Sequence, residues 1–178
     1  VIAVYLAYKS YNEGLYDEAY KNALKSCKNR DHPTKGCELL AHLIITGKAT
    51  TTSNLSYDEK MVEAIAHLQK GHEDKDIKSS AMLFDIANTS HIFSKYSDNK
   101  LAEEILKDLK KSKTLSAKIR VQSSCFSVDP LAAIFRNCRP ACAWAKRTAT
   151  KATRMDVGSI VALDNILSHN ICKDDTIK

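Results

Sequence analysis

Apolar residues recur at helical spacing along most of the chain. Between 16 and 27, Ala19, Tyr20, Ala23 and Leu24 share one face; between 57 and 70, Met61, Ala64, Ile65 and Leu68 do the same. Leu101, Ile105 and Leu109 repeat the pattern. This periodicity predicts helices over 2–12, 16–27, 37–46, 57–70, 77–94, 99–111, 115–121, 131–137, 141–153 and 157–170. The expected stops are Gly14, Gly47 and Gly71, because glycine closes a helix in the left-handed conformation at little cost. Ser97 or Asp98 suits the cap of the helix at 99. Asp129-Pro130 reads as a helix start, with the acid capping and the proline in the first turn. The segment 28–36, with Pro33 and Gly36, reads as a loop, and the polar, β-branched run 50–54 as a longer, mobile one.

The helices are organised by repetition. Tyr16-Asp17-Glu18 recurs as Tyr57-Asp58-Glu59, which aligns Ala23 with Ala64 and Leu24 with Ile65. A degenerate third copy opens at Tyr96-Ser97-Asp98. A period of about 40 residues with helical patterning means paired helices stacked in an array. The expected fold is therefore all-α, with antiparallel helix pairs stacked as a short right-handed solenoid. The repeats occupy 1–121. A C-terminal extension, 122–178, packs on them as a helical cap within one domain.

Composition narrows the class. With 178 residues, 44% hydrophobic and 27% charged, the chain is long enough for a proper core, and 5 Gly and 3 Pro argue against a turn-dense β fold. The net charge of +6 is mild. The longest apolar run, from Val1 to Tyr8, is far short of the roughly 18–20 residues that span a bilayer. The chain opens at Val1, and we expect a signal peptide to have been removed.

Six cysteines with no C-x-x-C spacing favour disulfides in an oxidising compartment over redox or zinc-ribbon chemistry. Cys125, Cys138, Cys142 and Cys172 admit three pairings. Because Pro140 breaks the helix between Cys138 and Cys142, direct pairing of those two is unnatural, and we expect Cys125 with Cys138 and Cys142 with Cys172. A four-cysteine zinc site is the alternative, although the spacings match no common pattern.

The chain shows no catalytic signature. The six histidines form no H-E-x-x-H or H-x-x-x-H pair, and Glu63 with His67 is a helix-surface pair at i, i+4. Ser97-Asp98-Asn99-Lys100 superimposes a Ser-x-x-Lys spacing on a Ser-Asp-Asn triplet. Those motifs act from separate segments, so capping explains their overlap here. No Gly-rich phosphate loop, G-x-S-x-G or metal-ligand spacing occurs. We expect no catalytic residues, no metal and no cofactor.

Two clusters suit binding. Arg136, Arg139, Lys146, Arg147, Lys151 and Arg154 surround Trp144, with no acid between Asp129 and Asp156. Such a cluster serves as a contact surface for an acidic partner, with Trp and Arg as anchors; a solvated helical face with Trp144 in the core is the alternative. Few aromatics accompany the cations, which argues against nucleic acid. Tyr5, Tyr8, Tyr11, Tyr16 and Tyr20 crowd the N-terminal helices and suit a core or a concave, protein-binding groove.

The repeat has a recognisable form. Tyr16-Asp17-Glu18-Ala19, Ala23-Leu24-Lys25-Ser26-Cys27, Gly36-Cys37-Glu38-Leu39-Leu40 and Ile44-Ile45-Thr46-Gly47-Lys48 follow one another, and Tyr57-Asp58-Glu59-Lys60 with Ala64-Ile65-Ala66-His67-Leu68 begins the next unit. Over about 2–119 this resembles the Sel-like repeats, relatives of tetratricopeptide repeats. A Cys closing one helix and a Cys opening the next resembles their cysteine-rich secreted bacterial subfamily. That resemblance implies a Cys27–Cys37 disulfide, as does the polar turn between the two residues, which places free thiols poorly for burial. The loop is two residues longer than usual, and Leu68 stands where the second copy would have its cysteine.

The resemblance also supplies a context. Exported Sel-like proteins include envelope adaptors, host-interaction proteins and immunity proteins of type VI secretion phospholipase effectors. It implies a non-catalytic periplasmic or secreted protein that binds and occludes an acidic-surfaced toxic effector. The alternatives are an adaptor or virulence protein and, more remotely, an enzyme acting on β-lactams.

Overall fold

The computed structural model describes residues 2–29, 35–88, 94–126, 137–151 and 154–174. The Asp129-Pro130 start, Pro33, Arg136 and all of the expected helix at 131–137 but its last residue lie outside them. Among the described residues the chain is helical throughout, with ten α-helices and no strand. They are α1 (Ile2–Asn12), α2 (Tyr16–Lys28), α3 (Cys37–Thr46), α4 (Tyr57–Glu73), α5 (Ile77–Ala87), α6 (Asn99–Lys111), α7 (Leu115–Ser123), α8 (Arg139–Lys151), α9 (Val157–Ser168) and α10 (Asn170–Asp174). Contacts divide the chain into two compact units, Val1–Leu83 and Phe84–Lys178, with the division inside α5.

In the first unit α1 and α2 form a helical hairpin about Gly14, whose φ of 77° suits glycine. Helix α2 packs on α3, and α3 on α4. Helix α3 is apolar nearly all round and buries Leu39, Leu40, Ala41, Leu43 and Ile44, as a central helix must. The Cys27–Cys37 disulfide ties the end of α2 to the start of α3. Both half-cystines are fully buried, contrary to the expectation from the polar turn between them. Oxidation removes the thiol and leaves a compact apolar bridge, which the helix junction encloses.

Two expected loops are ordered differently. Helix α4 does not stop at Gly71 but continues to Glu73. Gly71 is there for closeness: a Cβ would collide with the Ser79 side chain and lie 3.1 Å from the Cys37 Cβ. The left-handed exit falls instead on Lys75, with φ 65°. Likewise, the 50–54 run contains a 3-10 turn, Thr50–Thr52, held by Asp17. Its carboxylate accepts from the Thr50 N–H at 2.6 Å and from the Thr50 hydroxyl at 2.7 Å. Thr52 is buried beneath it.

In the second unit α6 buries Ala102, Ile105 and Leu109 and packs on α7, while α7 also meets α8 and α9. Asp98, rather than Ser97, caps α6 by accepting from Leu101 N at 3.1 Å. The core gathers Ile119, Cys142, Ala145, Ala162, Leu163, Ile166 and Cys172. The Cys125–Cys138 disulfide closes the segment between α7 and α8, and Cys142–Cys172 joins α8 to α10, which is the expected pairing. With all four sulfurs in disulfides, the zinc alternative has no thiolate to use. Pro140 sits in the first turn of α8, where a missing N–H is tolerated. The expected final helix at 157–170 divides at His169, whose extended backbone separates α9 from α10.

Candidate interaction surfaces

The first surface is built by the hairpin α1–α2 and helix α3. The helical period puts Tyr8 and Tyr11 on the flank of α1 that reaches α3. Tyr8 Oη donates to Glu38 Oε2 at 3.1 Å, and Tyr11 Oη lies 3.0 Å from His42 Nε2. Across the Gly14 turn Tyr16 packs edge-on against Tyr11, with centroids 5.5 Å apart. Lys48 Nζ donates to Tyr11 Oη at 3.0 Å and stands 5.0 and 5.2 Å from the Tyr11 and Tyr16 centroids. Lys78 takes the equivalent place over Tyr8, at 4.9 Å.

The electrostatics follow from this arrangement. The hydrogen bond to Tyr11 raises the Lys48 pKa, so the ammonium is held charged. Burial lowers the His42 pKa, and the neighbouring Lys48 charge lowers it further. His42 is thus a neutral partner for Tyr11 where Lys48 is a charged one.

The sequence-expected tyrosines divide three ways. Tyr8, Tyr11 and Tyr16 come together, and Tyr20 belongs to the core. Tyr5 stands 66% exposed on the outer face of α1 beside Ile2 and Leu6. Glu38, His42 and Lys48 were not anticipated. Their signal was present: Glu38 and His42 are one turn apart in an otherwise apolar helix, a spacing that marks its polar edge.

The second surface lies on α8 and the start of α9. Ala141, Cys142 and Ala145 face the core, and Trp144 is half-buried against the same cluster. Arg139, Arg147, Lys151 and Arg154 are exposed, and Lys146 is partly so. Arg136 lies outside the described residues. On α9 Val157, Ile160 and Val161 are 70, 48 and 53% exposed. They went unnoticed in the sequence because the opposite face, Ala162, Leu163 and Ile166, supplies the stronger apolar signal.

Behind this surface Arg120 is almost fully buried and fully engaged. Its Nε and Nη2 donate to Asp85 at 3.1 and 2.8 Å, and its Nη1 donates to Ser159 Oγ at 2.6 Å and Ser116 Oγ at 3.0 Å. Asp156 caps α9 by accepting from the Ser159 N–H and hydroxyl. Burial raises the Asp85 pKa; Arg120 opposes that shift and Asp156 adds to it. Arg120 therefore joins α5, α7 and α9 within the second unit.

Comparison of the chain with protein-family models, curated proteins and solved structures gives no match. What the surfaces can do is read from their own chemistry. His72 Nδ1 and Ser80 Oγ are 2.7 Å apart, but Ser80 is 1% exposed and also donates to Asp76 O, so this contact closes the start of α5. Glu63 and His67 form a 3.7 Å helix-surface pair, and burial lowers the His67 pKa against the pull of Glu63. No group of three His, Cys, Asp or Glu among the described residues is placed to hold a metal. No described helix is long and apolar enough to cross a membrane. The disulfides suit an oxidising, extracytoplasmic environment.

Proposed function

We propose that the protein is a non-catalytic protein-binding module, a short Sel-like solenoid of the bacterial periplasm. In this reading it is an immunity protein that occludes a toxic, lipase-like secreted effector. The observation that carries the binding reading is the first surface. Exposed Tyr5, Ile2 and Leu6 adjoin a braced set of Tyr8, Tyr11 and Tyr16 under Lys48 and Lys78. Tyrosines held by neighbours lose little entropy on binding and offer both apolar area and hydroxyls. The two lysines suit an acidic-surfaced partner and speed its approach. The three disulfides support the extracytoplasmic placement.

The test is affinity capture from the native source under non-reducing conditions, followed by an activity assay of what is captured. The expected result is one stoichiometric hydrolase, inhibited when the chain is added back and released by Tyr5→Ala with Lys48→Glu. Several weak partners without inhibition would favour an envelope or host-directed adaptor. Inhibition unchanged by those substitutions would move the contact away from the tyrosines.

A further inference from the structure

We infer that the end of the second unit where α8 passes into α9 docks on an anionic phospholipid surface. Two properties coincide there. Val157, Ile160 and Val161 occupy one face of the first turns of α9 and remain exposed, while Ser159, Ala162, Leu163 and Ile166 fill the opposite face. Asp164 follows on the exposed face, so the apolar area is confined to the end of the helix nearest α8. Arg147 and Lys151 lie one turn apart in the last two turns of α8, and Arg154 is three residues before Val157. Three residues reach at most about 10 Å, so Arg154 borders the aliphatic tip.

The charge here is mostly positive. No acid occurs between Asp129 and Asp156; Asp156, which caps α9, and Asp164 are the acids set against Arg139, Lys146, Arg147, Lys151 and Arg154. A protein interface of this size would draw on aromatic anchors. Here Trp144 is half-buried in the core and the exposed apolar residues are all aliphatic. An excess of cations on α8 and at Arg154, with a small aliphatic tip on α9, suits a surface of repeated, interchangeable anions over a hydrocarbon layer. An anionic bilayer is such a surface: the tip enters the headgroup boundary and the cations take lipid phosphates. Docking of this kind lies in the interface plane and requires no spanning helix. It is independent of the inhibitor reading, which rests on the tyrosines of the first unit.

The test is flotation of the full, oxidised chain with vesicles of phosphatidylcholine alone or with about one-third phosphatidylglycerol. Expected is binding to the mixed vesicles at low salt, at least about tenfold above phosphatidylcholine, since each cation near such a surface adds several-fold. Binding should fall as salt screens the charges. The triple variant Arg147→Glu, Lys151→Glu, Arg154→Glu should lose it, as should Val157→Ser with Val161→Ser, a pair of exposed changes that leave the thermal transition in place. No preference for phosphatidylglycerol, or binding undiminished in the folded variants, would overturn the inference. If vesicles are ignored and the triple variant instead loses a captured acidic protein, the edge is a protein-docking face and the lipid assignment is wrong. Tyr5→Ala with Lys48→Glu should leave flotation unchanged, so the two readings fail separately.

Discussion

Arg120 and Asp85 form a forked ion pair 35 residues apart in sequence, with Nε and Nη2 of the guanidinium on one carboxylate. The arginine side chain is 2% exposed and the aspartate side chain 30%. Neutralising the acid strands a buried cation, whereas removing both charges leaves no unpaired charge. Asp85→Ala should therefore cost about 2–3 kcal/mol, somewhat under the 3–5 kcal/mol typical of a fully enclosed pair because water reaches Asp85. Arg120→Met combined with Asp85→Leu should recover most of that loss. Denaturant titrations of the single and double variants measure the difference.

Lys75 and Gly71 make an opposite pair of predictions. Lys75 holds a left-handed backbone that glycine adopts freely, so Lys75→Gly should stabilise the protein by up to about 1 kcal/mol. Gly71→Ala sets a methyl against Ser79 and the Cys37 Cβ, and overpacking of that kind costs about 1–3 kcal/mol. Opposite shifts of the thermal midpoint would confirm that the chain turns at Lys75. A stabilising Gly71→Ala would show that α4 and α5 are farther apart there.

Those two residues show what a linear reading supplies. Apolar spacing and turn residues placed α1, α3 and α6 with the bounds observed, because local periodicity and caps decide where such helices begin and end. Gly71 looks identical to a helix stop until Ser79 is known to lie against it, and that is a tertiary fact. The 3-10 turn at Thr50 depends in the same way on Asp17, 33 residues earlier. At the first surface the tyrosines were visible, but Glu38, His42 and Lys48 enter through contacts some 30 residues apart. At the second, the cations were visible; the exposed face of α9 was not, since two apolar faces on one helix blur its period.

His42 and His67 predict a loss of stability on mild acidification. Burial lowers both pKa values in the folded state. Below the ordinary imidazole value of about 6.5 the unfolded chain takes up protons that the folded one resists. Stability should be full above that pH and decline as pH falls from about 6.5 toward the depressed folded values. His42→Gln should flatten part of this slope, since it removes one of the two groups. Thermal midpoints between pH 7.5 and 5.5, for the wild type and the variant, provide the check; a flat profile in the wild type would show that neither ring is desolvated.

The disulfides should contribute unequally, and their location determines how. Cys142–Cys172 closes a span of 30 residues and Cys27–Cys37 one of 10. By chain entropy these correspond to about 3–4 and about 3 kcal/mol, a small difference. Their structural dependents differ more. Helix α10 has five residues, too few to persist alone, and Cys172 sits within it, beside Ile171, which packs against the second core. Helices α2 and α3, by contrast, remain packed on each other and on α1 and α4. Replacing Cys142 and Cys172 by Ala should therefore release α10 and abolish amide protection there beyond the global loss. Replacing Cys27 and Cys37 by Ala should lower global stability without selectively unprotecting either helix. Hydrogen exchange on the two paired variants distinguishes these outcomes, and protection of α10 surviving the first would mean that Ile171, rather than the sulfur bridge, holds the C-terminal turn.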